Sequence, residues 1–325
     1  MLRFEPLAPP LAKTESLETE FMKTHPTNPS SPTRREFLTR SAALLGAAWF
    51  GPVALPAEAK RTHADQVTLG RTGIKCSRLG MGTGTNSGQV QKALGQDTFN
   101  RLVQYAYDQG ITYFDCAQSY ATFEWLGGAI KGLPREKLFI QSKIGGQPEK
   151  VLEVIDRHRK TFDTDYIDSL LIHCMVKDDW TDQWKRIMDG FDEAQEKKWI
   201  RAKGVSCHSL PALTRAASSD WIQINLVRLN PQGAWVDTPE QTWNAKSGPD
   251  NVPGVVAQIK QARAKGHGIL GMKLIGNGEF TQAEDREKAM QFVMKSNLCD
   301  AAVVGFKSTA EIDETIERMN RALAA

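Results

Sequence analysis

Short apolar runs of strand character alternate with longer helical stretches from Cys76 to the C-terminus, and this alternation constrains the fold more than any other feature. The runs are Cys76–Gly82, Thr112–Ala117, Leu138–Lys143, Ile167–His173, Ala202–Cys207, Ile222–Leu229, Ile269–Leu274 and Ala302–Phe306. Helical patterns fall near Asp97–Gln109, Phe123–Lys131, Lys150–Phe162, Asp182–Lys198, Leu210–Ser218, Val255–Lys265, Glu284–Lys295 and Ala310–Leu323. Strands that alternate with helices pair in parallel. Eight such units predict a (β/α)8 TIM barrel, a fold of about 250 residues. Val67–Gly73 reads as a hairpin placed before the first barrel strand. The longest interruption, Asn230 to Pro253, follows the sixth strand, and a loop of that length is expected to be functional.

The first 59 residues read as a separate segment. Thr33-Arg34-Arg35-Glu36-Phe37-Leu38 precedes a modestly apolar stretch, Ser41 to Leu55, and then Ala57-Glu58-Ala59. A basic start, an apolar middle and a small-residue cleavage site make a secretory signal. The paired arginines resemble the twin-arginine export signal. The expectation is a signal peptide and disordered leader over 1–59, starting at Met1 or Met22, then a barrel domain over 60–325. The twin-arginine machinery would be a partner, and the mature protein would be periplasmic or otherwise outside the cytoplasm. The apolar stretch is too short and too rich in Ala and Gly for stable membrane insertion.

A net charge of +3, without a block of Lys and Arg, argues against a nucleic-acid partner. The five cysteines contain no C-x-x-C pair and an odd number cannot all pair internally, so no disulfide framework is expected. Cys116, Cys174 and Cys207 each follow a motif residue, but small buried side chains explain them better than a metal site. No metal is expected.

Four polar residues stand at or just beyond strand ends: Asp115, Tyr120, Lys143 and His173. In a parallel barrel those ends meet on one rim. A tyrosine can protonate a carbonyl oxygen when a nearby ammonium makes its phenolate less costly. Lys143 would supply that charge, Asp115 would hold the lysine, and His173 would orient the substrate oxygen. The set suits carbonyl reduction and includes no nucleophile.

These residues and their order resemble the aldo-keto reductase family, from about Val67 to the C-terminus. Asp115 to Tyr120 matches the family's Asp-x-x-x-x-Tyr step, with Glu124, Leu126 and Gly127 behind it. Lys143 and His173 follow on the next two strands. The resemblance implies catalytic roles for Asp115, Tyr120, Lys143 and His173, a hairpin that plugs the barrel bottom, and a nicotinamide dinucleotide as cofactor. NADP is the first expectation, with NAD as the alternative.

The cofactor contacts implied are distributed over several strand ends. Gly80-Met81-Gly82-Thr83 ends the first strand, where glycine permits close approach of a ligand. It opens no G-x-G-x-x-G helix, so a Rossmann domain is the weaker reading. Gly204-Val205-Ser206 resembles the segment that bonds the nicotinamide amide, although Cys207 and His208 replace the usual Asn. Gln223 matches the other amide partner. Lys307 and Ser308 resemble the group that holds the adenosine 2′-phosphate, and Glu314 would touch the adenine. The arginine and asparagine many members place in that helix are absent, with Asp313 and Thr315 nearby. Lys273, ending the seventh strand, would contact the pyrophosphate or pair with a carboxylate in the barrel wall.

For the substrate, Trp180 follows the histidine strand, and Arg228 and Trp235 lie at and beyond the sixth strand. Aromatic surfaces there suit a sugar, a steroid-like or an aromatic carbonyl compound. The chain is thus expected to transfer hydride between NADP(H) and a carbonyl or alcohol. The rival is a non-catalytic dinucleotide- or ligand-binding barrel with a regulatory role.

Overall fold

The computed structural model describes residues 60–324. The leader and cleavage site expected over 1–59 lie outside these residues. Two short strands, β1 (Gln66–Thr68) and β2 (Lys75–Ser77), form an antiparallel hairpin with Val67 opposite Cys76. β3 (Leu79–Gly82) then enters the barrel. The chain continues through α1 (Gln89–Lys92), α2 (Gln96–Asp108), β4 (Tyr113–Asp115), α3 (Phe123–Ala129), β5 (Phe139–Ile144) and α4 (Val151–Thr161). β6 (Ile167–Met175), α5 (Trp180–Gln183), α6 (Lys185–Glu196), β7 (Ile200–Cys207), α7 (Leu210–Ser218) and β8 (Ile224–Arg228) follow. The last units are α8 (Val252–Ala264), β9 (Gly268–Met272), α9 (Ala283–Lys295), β10 (Ala301–Gly305) and α10 (Thr309–Ala324).

β3 to β10 pair in parallel, each with the next in sequence, and β10 pairs with β3 to close the barrel. The expected (β/α)8 architecture is therefore present. Its reason is visible in the spacing of apolar residues. On α2, Phe99, Leu102, Val103 and Ala106 recur at three- and four-residue steps and are buried. On α6, Ile187, Met188, Phe191 and Ala194 do the same. These faces pack on outward strand residues such as Phe114, Ile140 and Ile172.

A second, smaller core fills the barrel interior with Tyr113, Phe139, Leu171, Ile224 and Leu270. Leu69, Ile74 and Cys76 of the hairpin pack into this cluster, so the hairpin plugs the barrel opposite the strand C-termini. At Gly70 (φ +47°) a Cβ would lie 2.3 Å from the Gly268 nitrogen, so glycine is required where the hairpin tip meets the turn before β9.

Two boundaries differ from expectation. The helix expected over Asp182–Lys198 is two helices, because Trp184 leaves helical geometry (φ −103°, ψ 15°). α8 starts at Val252, earlier than expected, with Pro253 in the first turn, where its missing N–H costs no helical bond. Among the described residues no helix is long and apolar enough to cross a membrane.

Candidate active site

A cleft of about 540 Å³ opens at the C-terminal ends of the strands, and Asp115, Tyr120, Lys143 and His173 all line it. Asp115 ends β4 and Lys143 lies in β5. The Lys143 ammonium donates to both Asp115 oxygens at 2.6 and 2.8 Å and to the Cys116 carbonyl at 2.8 Å. Gln141 donates to Asp115 (2.7 Å) and to the Tyr113 hydroxyl (2.8 Å), and Ser169 donates to Gln141 (3.0 Å). The buried pair thus has the extra hydrogen bonds that a desolvated ion pair needs. Burial pulls the Lys143 pKa down, but the Asp115 charge outweighs it and the lysine stays a firm cation.

Tyr120 sits on the loop between β4 and α3. Cys116 N–H donates to the Gln141 carbonyl, Gln118 N–H to the Lys143 carbonyl and Tyr120 N–H to the Ala117 carbonyl. These bonds hold the tyrosine over the lysine, whose ammonium lies 5.0 Å from the ring centroid. Burial pushes the Tyr120 hydroxyl up to about 12, against the opposing pull of Lys143. The lysine moderates the cost of a phenolate here without making one at neutral pH.

His173 reaches the same space through a break in strand register between Ile172 and Met175. Cys174 takes a left-handed conformation there (φ 65°), and its N–H donates to the Ser206 hydroxyl at 2.9 Å. A bulge of this kind re-aims a side chain. The His173 ring meets Tyr120 edge-on at 5.5 Å between centroids. Burial, then the Lys143 charge, lower its pKa to about 3, so the imidazole is neutral.

Ser206, Lys273, Lys307 and Glu314 also line the cleft. Lys273 (φ 60°) donates to Asn277 at 2.6 Å and pairs with no carboxylate among the described residues, which removes the barrel-wall ion pair as its role. Burial and the charges of Arg228 and Lys143 lower its pKa to about 8. Ser308 caps α10 by accepting the Glu311 N–H at 3.3 Å.

Several expected contacts are placed elsewhere. Thr83 does not line the cleft; it is fully buried and its hydroxyl donates to the Asp115 carbonyl. The flanking Gly82 and Gly84 face the ligand space instead. Gln223 precedes β8 and so sits at the end opposite the rim, where its side-chain amide oxygen accepts from the Lys203 N–H and from the Gln195 side chain. Trp180 is buried, with its indole N–H donating to the Ala212 carbonyl, and it does not line the cleft. Arg228 is buried too: it pairs with Asp237 (2.7 Å) and donates to the carbonyls of His208 (2.6 Å) and Trp243 (3.3 Å). It braces the long loop and is not free for substrate. Trp235 donates to Glu279 at 2.6 Å, tying that loop to the turn Gly276–Gly278, and does not line the cleft.

Sequence reasoning missed other cleft residues, notably Arg286 on α9, and Glu311 and Arg318 on α10. Glu314 accepts from Arg286 and from Arg318, each at 2.9 Å, and Arg318 also donates to Glu287 at 2.7 Å. Only the Glu314–Arg318 spacing of four along one helix was a signal for this cluster.

The cleft joins a proton-donating end at Tyr120 to a polar end at the start of α10, with the cation Lys273 on its wall. An extended anionic cofactor such as a nicotinamide dinucleotide fits that donor set.

A solved aldo-keto reductase of Bacillus halodurans, in its holo form, has the same fold. It superposes with a TM-score of 0.61 at 16% identity, over 80% of this chain and 97% of that one. The 9,11-endoperoxide prostaglandin H2 reductase of Trypanosoma cruzi is 32% identical over 144 residues, 42% of this chain and 49% of that protein. The NAD/NADP-dependent indole-3-acetaldehyde reductase of Schizosaccharomyces pombe is 28% identical over 160 residues, 46% of this chain and 55% of that protein. The chain thus spans about half the length of these curated relatives. The model of the Aldo/keto reductase family matches residues 78–324, which takes in the whole barrel and all four tetrad positions, and the chain belongs to that family.

Proposed function

We propose that this protein is an oxidoreductase that transfers hydride between a nicotinamide dinucleotide and a small carbonyl or alcohol compound. The observation that carries the reading is the convergence of a half-buried phenol, a buried ammonium–carboxylate pair and a neutral imidazole on one cleft. The names of the matched relatives, reductases of small organic compounds, support a small-molecule substrate.

When bound, the nicotinamide supplies or accepts the hydride. In reduction the Tyr120 hydroxyl gives its proton to the carbonyl oxygen, and in oxidation the phenolate takes it back. Lys143 stabilises the negative charge left on Tyr120. Asp115 fixes the lysine at 2.6 Å. Neutral His173 donates a hydrogen bond to the same oxygen and orients it. Lys273 offers a positive charge to the anionic part of the cofactor.

Tyr120→Phe tests the assignment. Turnover should fall by at least about a hundredfold, while dinucleotide affinity measured by calorimetry is kept. Unchanged turnover would remove Tyr120 from the mechanism.

We also propose export by the twin-arginine route and a site of action outside the cytoplasm. The Arg34-Arg35 pair and the Ala57-Glu58-Ala59 site support it. Residues 1–59 fused to a reporter should deliver it across the membrane, and replacement of both arginines by lysine should stop delivery. Unaltered delivery would count against that route.

A further inference from the structure

We infer that the far end of the cleft is built for an adenosine ribose with a free 2′-hydroxyl, and so for NAD(H) over NADP(H), against the expectation from Lys307 and Ser308. The inference rests on the hydride-transfer reading, because that reading puts the nicotinamide at Tyr120. The adenosine half of the dinucleotide then falls at the opposite end, where α10 begins.

Three groups at that helix start could hold a phosphate: the Lys307 amide, the Lys307 ammonium and the Ser308 hydroxyl. The first two are engaged within the chain, and the third is turned to cap the helix. The Lys307 N–H donates to a Glu311 carboxylate oxygen at 2.7 Å. The other Glu311 oxygen lies 3.5 Å from the Lys307 ammonium. Ser308 accepts the Glu311 N–H. Glu311 therefore sets its own carboxylate against the Lys307 amide and ammonium, beside the start of α10 where a phosphate would be drawn.

The two arginines nearby do not alter this balance. Arg286 and Arg318 both bond the Glu314 carboxylate, at 2.8 and 2.7 Å in their closest ion-pair contacts. Arg318 is also shared with Glu287. These hydrogen bonds hold Glu314 below the usual carboxylate range despite its partial burial, and those of Arg321, Gln291 and Arg318 hold Glu287 down to about 2, so both are ionised at neutral pH. Each cation lining this end thus has a carboxylate partner.

A 2′-phosphate carries a charge of about −1.5 to −2 at neutral pH, as other phosphate monoesters do. To bind here it would have to displace Glu311 and then lie beside both Glu311 and Glu314. A 2′-hydroxyl has the opposite chemistry. It is a donor, and an acidic side chain at the ribose is the usual means of accepting it. Thr315 and the carboxylates of Glu311 and Glu314 on the cleft wall provide that acceptor surface.

The test is calorimetric titration of the full chain with NADH and with NADPH at one fixed ionic strength. NADH should bind about tenfold tighter or more. Glu311→Gln and Glu314→Gln should each narrow the ratio, chiefly by tightening NADPH. Equal or tighter NADPH binding by the unmodified protein would overturn this inference and leave the hydride-transfer reading standing. A ratio that neither variant moves would overturn the assignment to these carboxylates. Failure to bind either nucleotide would remove the hydride-transfer reading along with it.

Discussion

Gly84 lies against the ring of Tyr120: a Cβ on Gly84 would sit 2.2 Å from Cε2 and 2.8 Å from the hydroxyl oxygen of that tyrosine. The ring is stiff and half-buried, so the contact cannot be relieved by bending a flexible chain. Gly84→Ala should therefore shift the phenol out of register with Lys143 and His173. Steady-state turnover is expected to fall on the order of a hundredfold, the scale of an ångström's misplacement at a reacting group. Wild-type turnover in this variant would mean that the ring position is not what matters.

Lys143→Met separates the two jobs of the lysine. The variant leaves Asp115 buried without its counter-ion, and breaking such a pair costs about 3–5 kcal/mol. It also removes the charge that opposes the burial of Tyr120, so the phenol becomes still less acidic. Chemical denaturation should show the first effect. The second should appear as lost oxidation activity at neutral pH, partly regained as pH rises. A variant of full stability would contradict the burial of this pair.

Acid should weaken the fold through its buried histidines. Burial lowers the His158 and His173 pKa values to about 3, and lowers those of His208 and His267 as well. In the unfolded chain the same imidazoles take up protons below about pH 6.5. Between those limits the unfolded state binds more protons, so stability falls as pH falls, by up to about 1.4 kcal/mol per unit for each histidine. Asp237 acts the other way. Burial raises its folded pKa to about 6, so the folded state keeps a proton there that the unfolded one gives up. One acid against several histidines leaves the net slope positive with pH. The melting temperature should be lower at pH 5 than at pH 7, and a flat profile would sink the argument.

Trp180 and Arg228 should behave as structural residues. Trp180→Phe keeps most of the buried ring and loses the bond to Ala212, a loss of about 1 kcal/mol in denaturation with KM unchanged. Arg228→Met strands the buried Asp237 and should cost several times more, about 3–5 kcal/mol. A changed substrate preference in the tryptophan variant with no loss of stability would return it to the pocket.

The barrel was legible because its signal is repeated. Three successive runs carry a polar residue at or near their rim end, and Asp115, Lys143 and His173 could be placed without knowing any contact. The errors arose where one residue of parity, or one end of a strand, decides the outcome. Thr83 alternates with Gly82 and Gly84 and takes the face they do not. Gln223 was placed inside a strand read as Ile222–Leu229, whereas the paired segment is Ile224–Arg228 and leaves it at the far end. Arg228 and Trp180 are residue types common at ligand sites, and nothing in their spacing reveals Asp237 or the Ala212 carbonyl as their partners. The carboxylates that close the helix start at Lys307 look, in sequence, like an ordinary charged surface.

The closing seam of the barrel has a consequence for how the molecule matures. Leu79 pairs with Ala302 and Gly82 with Gly305, so the first and last barrel strands meet across nearly the entire described chain. Contacts of such long range form late, after the loop entropy of everything between them has been overcome. The cleft straddles that seam, with Gly82 on one side and Val303, Val304 and Gly305 on the other. A growing chain has no such cleft until its final strand has docked. A ligand held there binds only the finished ring and draws the equilibrium toward it, so nucleotide capture would serve as the molecule's own report that assembly is complete.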